Sequence, residues 1–112
     1  MATTSTESVA TPTMDVRKMG ILARFMAAPN VTAEQYDETI RRLEKSGDWL
    51  PEGLEYHVAF RSNDGDFRVD EIWDSREQFD ANVERLMPVL KDVGIELSGE
   101  TEMLEIHNIV RR

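Results

Sequence analysis

Apolar and polar side chains alternate with strand periodicity in four stretches of this chain and recur at helical spacing in two others. From Arg17 to Met26, Ile21, Ala23 and Phe25 alternate with Leu22, Arg24 and Met26, which predicts a first strand ended by Pro29-Asn30. Thr32 then opens a capping box with Gln35, with Val31 and Tyr36 at the two staple positions, and Tyr36, Ile40 and Leu43 form a narrow apolar stripe up to Gly47. After the linker GDWLPEG, where Trp49 is either a plug on the core or a pocket wall, two strand-like runs flank Asp64-Gly65. Ser75 and Gln78 form a second capping box, and Phe79, Val83, Leu86, Leu90 and Val93 share one face of the helix that follows. Pro88 falls inside that pattern and removes one amide bond. A last strand is expected from about Glu102 to Val110.

The dipeptide Asp64-Gly65 is a preferred centre for a two-residue hairpin turn, which pairs Asn63 with Asp66. Counting outward sets Val58 opposite Glu71 and Tyr56 opposite Trp73. One face of the hairpin is then Leu54, Tyr56, Val58 and Phe60 with Phe67, Val69 and Trp73, interrupted by Glu71, while His57 falls on the other face.

The order strand, helix, strand, strand, helix, strand is the α+β, ferredoxin-like βαββαβ pattern. Right-handed crossovers place both helices on one face of a four-stranded antiparallel sheet, leaving the other face open. Its expected residues, among them Leu22, Met26, Ile72, Met103 and Ile109, are too apolar for solvent, so a homodimer through the open sheet face is expected.

Composition narrows the function classes. Thirteen basic residues against 22 acidic ones give a net charge of −9, which repels phosphate backbones and anionic lipid, so neither nucleic acid nor a membrane is an expected partner. The absence of cysteine removes thiol nucleophiles and thiolate metal sites and fits a cytoplasmic protein. Residues 1–15, rich in Thr, Ser and Ala, are expected to be a disordered tail, and residues 16–112 one domain. The sequence carries no glycine-rich phosphate loop, serine elbow or helix with metal-ligand spacing.

The stretch Glu71-Ile72-Trp73-Asp74-Ser75, followed by Glu77 and Phe79, resembles the E-x-W-x-S-x-x-x-F signature of the dimeric α/β-barrel proteins, in particular their antibiotic biosynthesis monooxygenase-like branch. The resemblance runs from about Gly20 to Val110. It implies a homodimer whose two sheets close one barrel, with a pocket for a small apolar or aromatic ligand between each sheet and its helices. Haem-degrading relatives carry an Asn on the first strand and a His on the second helix, where this chain has Ala23-Arg24 and Asn82-Val83.

The leading expectation is a protein resembling cofactor-free monooxygenases, with no metal or cofactor, that acts on an aromatic or polyketide-like substrate. In it Glu71 abstracts a proton, Trp73 and Tyr56 sandwich the ring, and Phe79, Val83, Asn108 and His57 complete the substrate contacts. Each residue has a second reading. Trp73 can be core alone, and Glu71 on an apolar face can be a structural partner of a helix residue, because an isolated buried charge costs too much. The same pocket suits a non-catalytic dimeric ligand-binding protein, and haem held by His57 or His107 is a third reading.

Overall fold

A computed structural model describes residues 20–112, and the tail expected over residues 1–15 lies outside the described residues. Strand β1 (Ile21–Ala27), helix α1 (Ala33–Ser46), strands β2 (Leu54–Arg61) and β3 (Phe67–Trp73), helix α2 (Arg76–Val93) and strand β4 (Leu97–Glu105) follow in the expected order. The strands form one antiparallel sheet in the order β2-β3-β1-β4, the ferredoxin-like α+β arrangement.

Local chemistry explains where the helices begin and end. The Thr32 hydroxyl accepts from the Gln35 amide at 3.1 Å and the Gln35 side chain accepts from the Thr32 amide at 2.9 Å, so the first capping box is complete. At α2 the Ser75 hydroxyl accepts from the Gln78 amide at 3.2 Å, but the Gln78 side chain bonds that hydroxyl at 3.0 Å, leaving half of the second box. Both helices stop at a left-handed glycine, Gly47 and Gly94, and α2 continues through Pro88.

The hairpin turn differs from expectation by one residue, and that residue moves the site. Ser62 donates its amide to Asp66, Gly65 donates to the Ser62 carbonyl, and Gly65 takes a φ of +92°, which makes a three-residue loop of a type I turn closed by a left-handed glycine. Arg61 therefore pairs with Phe67, Val58 with Asp70, and His57 with Glu71. A slip of one residue exchanges the two faces of a strand. His57 and Ala59 turn toward the helices, while Tyr56, Val58 and Phe60 turn to the open face, against the expected register. Tyr56 is 51% exposed there. A bulge between Leu54 and Tyr56 restores Leu54 to the covered face opposite Trp73.

The last strand also starts earlier than its alternation predicts. The connection after α2 is short, and Ala28 donates its amide to the Glu96 carbonyl at 2.8 Å, so pairing with β1 begins at once with Leu97 opposite Ala27. The strand ends at Glu105, and Asn108 lies past it, exposed. In this register Met103 joins the covered face opposite Ala23, and Leu104 takes the open face opposite Leu22.

Two apolar clusters fill the space between sheet and helices. Ala23, Leu54, Trp73 and Phe79 form one, and Ala27, Val31, Leu90 and Ile95 form the other. Helix α1 packs against α2, and a gap lined by α1 and by strands β2 and β3 lies beneath it. Among the described residues no helix is long and apolar enough to cross a membrane.

Candidate functional site

The gap under α1 is a cavity of about 60 Å³ whose walls are mainly apolar, with Phe25, Ile40, Leu43, Phe67, Val69 and Leu86 among its lining residues. Three titratable side chains line it, Tyr36 from α1, His57 from β2 and Glu71 from β3. They are joined in a row. The Tyr36 hydroxyl lies 2.6 Å from His57 Nε2, and His57 Nδ1 lies 2.6 Å from Glu71 Oε2. Trp73 donates its indole N–H to the second carboxylate oxygen, Oε1, at 2.9 Å.

Each placement follows from the strand register and the helix start. Glu71 and Trp73 are two residues apart on β3 and so share a face, and the cross-strand pairing sets His57 beside Glu71. Tyr36 sits in the first turn of α1, just past the capping box, where it reaches down across the gap. Trp49 and Asn82 of α2 also line the cavity, the Trp49 ring edge-on to His57 with centroids 5.0 Å apart.

With a neutral imidazole, the proton inventory of the row runs in one direction. Glu71, 4% exposed, is satisfied as a carboxylate that accepts from His57 Nδ1–H and from Trp73. That tautomer leaves the His57 Nε2 lone pair to accept the Tyr36 O–H. The buried charge thus has two donors, which resolves the problem it posed on an apolar face.

Burial first, then the charges of Glu71 and Asp37, push the Tyr36 phenol above its ordinary value of 10.0, because ionising it would add a third negative charge to the neighbourhood. A raised folded pKa means that its stabilising contribution is complete below the unfolded value and is lost as pH rises through the folded one. Wild-type protein is therefore expected to lose stability above about pH 10 more steeply than Tyr36→Phe, as read by thermal melts across the alkaline range.

Of the residues expected from sequence to touch substrate, His57 and Glu71 line the cavity. Trp73, Phe79 and Val83 stand beside it in the adjacent apolar cluster, with the Trp73 and Phe79 rings edge to face at 5.8 Å. Tyr56 is on the opposite side of the sheet and Asn108 is past the end of β4, for the register reasons given above. Tyr36 is expected from sequence as a staple residue and as part of the apolar stripe with Ile40 and Leu43; the structure adds its hydroxyl to the site.

The residues do not fit a haem. Both nitrogens of His57 are engaged within the row, the cavity is far smaller than a porphyrin, and His107 lies exposed beyond β4. Among the described residues no three His, Asp or Glu side chains cluster as a metal site would require.

No family model and no curated protein matches the sequence. Solved structures do match. A putative antibiotic biosynthesis monooxygenase from Deinococcus radiodurans aligns with a TM-score of 0.54 at 12% identity, over 82% of this chain and 97% of that one. SnoaB, a cofactor-independent oxygenase from Streptomyces nogalater, gives 0.54 at 12% identity over 82% and 95%. A dimeric ferredoxin-like protein from an uncultured marine organism gives 0.55 at 11% identity over 88% and 96%. In fold, the chain is similar to antibiotic biosynthesis monooxygenase-like and dimeric ferredoxin-like proteins.

Proposed function

We propose that this chain binds a small molecule carrying an acidic hydroxyl, a phenol or enol, in the cavity under α1, and oxidises it with dioxygen without a cofactor. The observation that carries the reading is the polar row Tyr36–His57–Glu71 set in an otherwise apolar wall, since few placed polar groups in an apolar pocket are what orient and activate a small ligand. The similarity in fold to SnoaB supports the reaction class.

For a simple phenol the reaction balances as follows. The ring loses its O–H and para C–H hydrogens, the para carbon becomes a second carbonyl, and dioxygen accepts four electrons, with one atom kept in the quinone and the other released as water. With isotopically heavy dioxygen and alpha-naphthol as the probe, one labelled oxygen is expected in the quinone, together with oxygen uptake at an electrode. A second reading is a binding protein without turnover. It is favoured by the fact that every polar atom of the His57 and Glu71 side chains is satisfied inside the protein, as a structural cross-link would require. Saturable binding of naphthol with no oxygen uptake would decide for it.

The chain is also proposed to form a homodimer through the open sheet face. Leu22, Met26, Tyr56, Val58, Phe60, Ile72 and Leu104 share that face by register, on either side of the Arg24–Asp70 ion pair, and apolar side chains grouped this way call for a cover. The dimeric neighbour supports the assignment. Sedimentation equilibrium at micromolar concentration is expected to return twice the 12.8 kDa of one chain, and Ile72→Arg, on the central strand β3, is expected to return one. A wild-type chain that sediments as a monomer would remove the proposal.

A further inference from the structure

We infer that His57 Nε2 is the atom that takes the substrate proton, that Glu71 positions it, and that the Tyr36 hydroxyl holds the place a substrate hydroxyl takes. This rests on the reading of the cavity as a small-molecule site and assigns its working atoms.

Glu71 lines the cavity but is 4% exposed, with one oxygen held by the buried Trp73 indole and the other by His57, whereas the partner of His57 Nε2 is a side chain of α1. The effect of Glu71 passes through the imidazole. By accepting the Nδ1 proton it fixes the tautomer whose lone pair lies on Nε2. That lone pair already has a phenol against it, the Tyr36 ring, whose oxygen is 2.6 Å away. The local geometry for receiving a phenolic O–H is thus built, with an internal phenol seated in it.

Size points the same way. The cavity of about 60 Å³ is smaller than the ~150 Å³ void that admits benzene, so a ring can reach His57 only when a side chain yields its place. Tyr36 is the side chain whose departure does both things required. It frees Nε2 and removes a ring from the cavity wall, and it belongs to the first turn of α1, not to the sheet that carries His57 and Glu71. Trp49, edge-on at 5.0 Å, holds the His57 ring in plane meanwhile.

The proton transfer balances without any further group. The substrate O–H bond breaks, an N–H bond forms at Nε2, and the substrate is left as phenolate beside an imidazolium that Glu71 neutralises through Nδ1–H. Of the residues lining the cavity, Tyr36, His57 and Glu71 are the titratable ones, so the accounting is complete within the row.

The test uses para-nitrophenol, whose ionised form has its own visible band, added to the full chain at a pH below the ionisation of the free phenol. Wild type is expected to bind it and show the phenolate band. His57→Gln is expected to bind it as the neutral phenol, with the band lost. Tyr36→Phe, which has no hydroxyl to displace, is expected to keep the band and bind roughly two- to tenfold more tightly, the worth of one net hydrogen bond. Binding to wild type without the band overturns the assignment of His57 and leaves the cavity reading standing. Loss of the band in Tyr36→Phe, with melting unchanged, overturns the place-holding role of Tyr36. No binding to wild type, judged by titration calorimetry, overturns the assignment and the cavity reading together.

Discussion

Trp73→Ala is expected to destabilise the fold by about 3–5 kcal/mol, the usual cost of truncating a fully buried aromatic. The side chain is 0% exposed and sits at the centre of the cluster formed with Ala23, Leu54 and Phe79. Its loss opens a cavity and also takes away the indole N–H that bonds Glu71 at 2.9 Å, so a packing penalty and an under-satisfied buried carboxylate arrive together. For a domain of this size the fall in melting temperature is on the order of 10–20 °C. Trp73→Phe separates the two contributions. It restores most of the apolar volume without the donor, and a loss of about 1–3 kcal/mol is expected from the hydrogen bond and the residual void. Denaturant midpoints for the pair check both figures, and equal losses for Phe and Ala would mean that packing around Trp73 matters little.

The chain's order of elements was legible because it is written in features that do not depend on one another. The Thr32 cap, the Ser75 cap and the two terminal glycines each mark a helix end by local hydrogen bonding, and alternation marks the strands. The register of the hairpin was not legible from its turn. Asp64-Gly65 suits a two-residue loop and equally suits the end of a three-residue loop, since both need a glycine with positive φ, and the two differ by one residue in everything they pair. A different signal did point to the observed register. Glu71 on a covered face needs a donor, and only the slipped pairing sets His57 across from it. Satisfaction of the buried carboxylate was therefore better evidence for the register than the turn dipeptide. Tyr36 was hidden for a related reason, because an aromatic ring at a staple position explains itself by packing and draws no attention to its hydroxyl. That hydroxyl meets His57 only through tertiary structure, twenty-one residues along the chain.

Glu71→Gln is expected to leave the fold nearly intact while abolishing proton uptake at His57, and the reason lies in how an amide can fill the carboxylate's place. Glu71 offers two acceptors, one to Trp73 and one to His57 Nδ1. Gln offers one acceptor and one donor. The Trp73 N–H can only donate, so the amide oxygen must face it and the amide NH₂ must face His57 Nδ1. The imidazole then moves its proton to Nε2, which donates to the Tyr36 oxygen, and the Tyr36 hydroxyl proton turns elsewhere. The heavy-atom contacts survive with the direction of the His57–Tyr36 bond reversed. Stability should therefore fall by only about 1–2 kcal/mol, the difference between charge-assisted and neutral hydrogen bonds. The chemistry should fall much further, because a protonated Nε2 has no lone pair for a substrate proton, and bound para-nitrophenol should stay neutral. Nitrogen NMR of the imidazole gives the tautomer directly, with Nδ1–H expected in wild type and Nε2–H in the variant. Glu71→Leu is the contrasting case, since it leaves the Trp73 N–H and His57 Nδ1 without a partner and should cost about 2–5 kcal/mol. A Gln variant that melts like Leu, or one that still shows the phenolate band, would mean that Glu71 does not set the imidazole's proton and that the row serves only to tie α1 to the sheet.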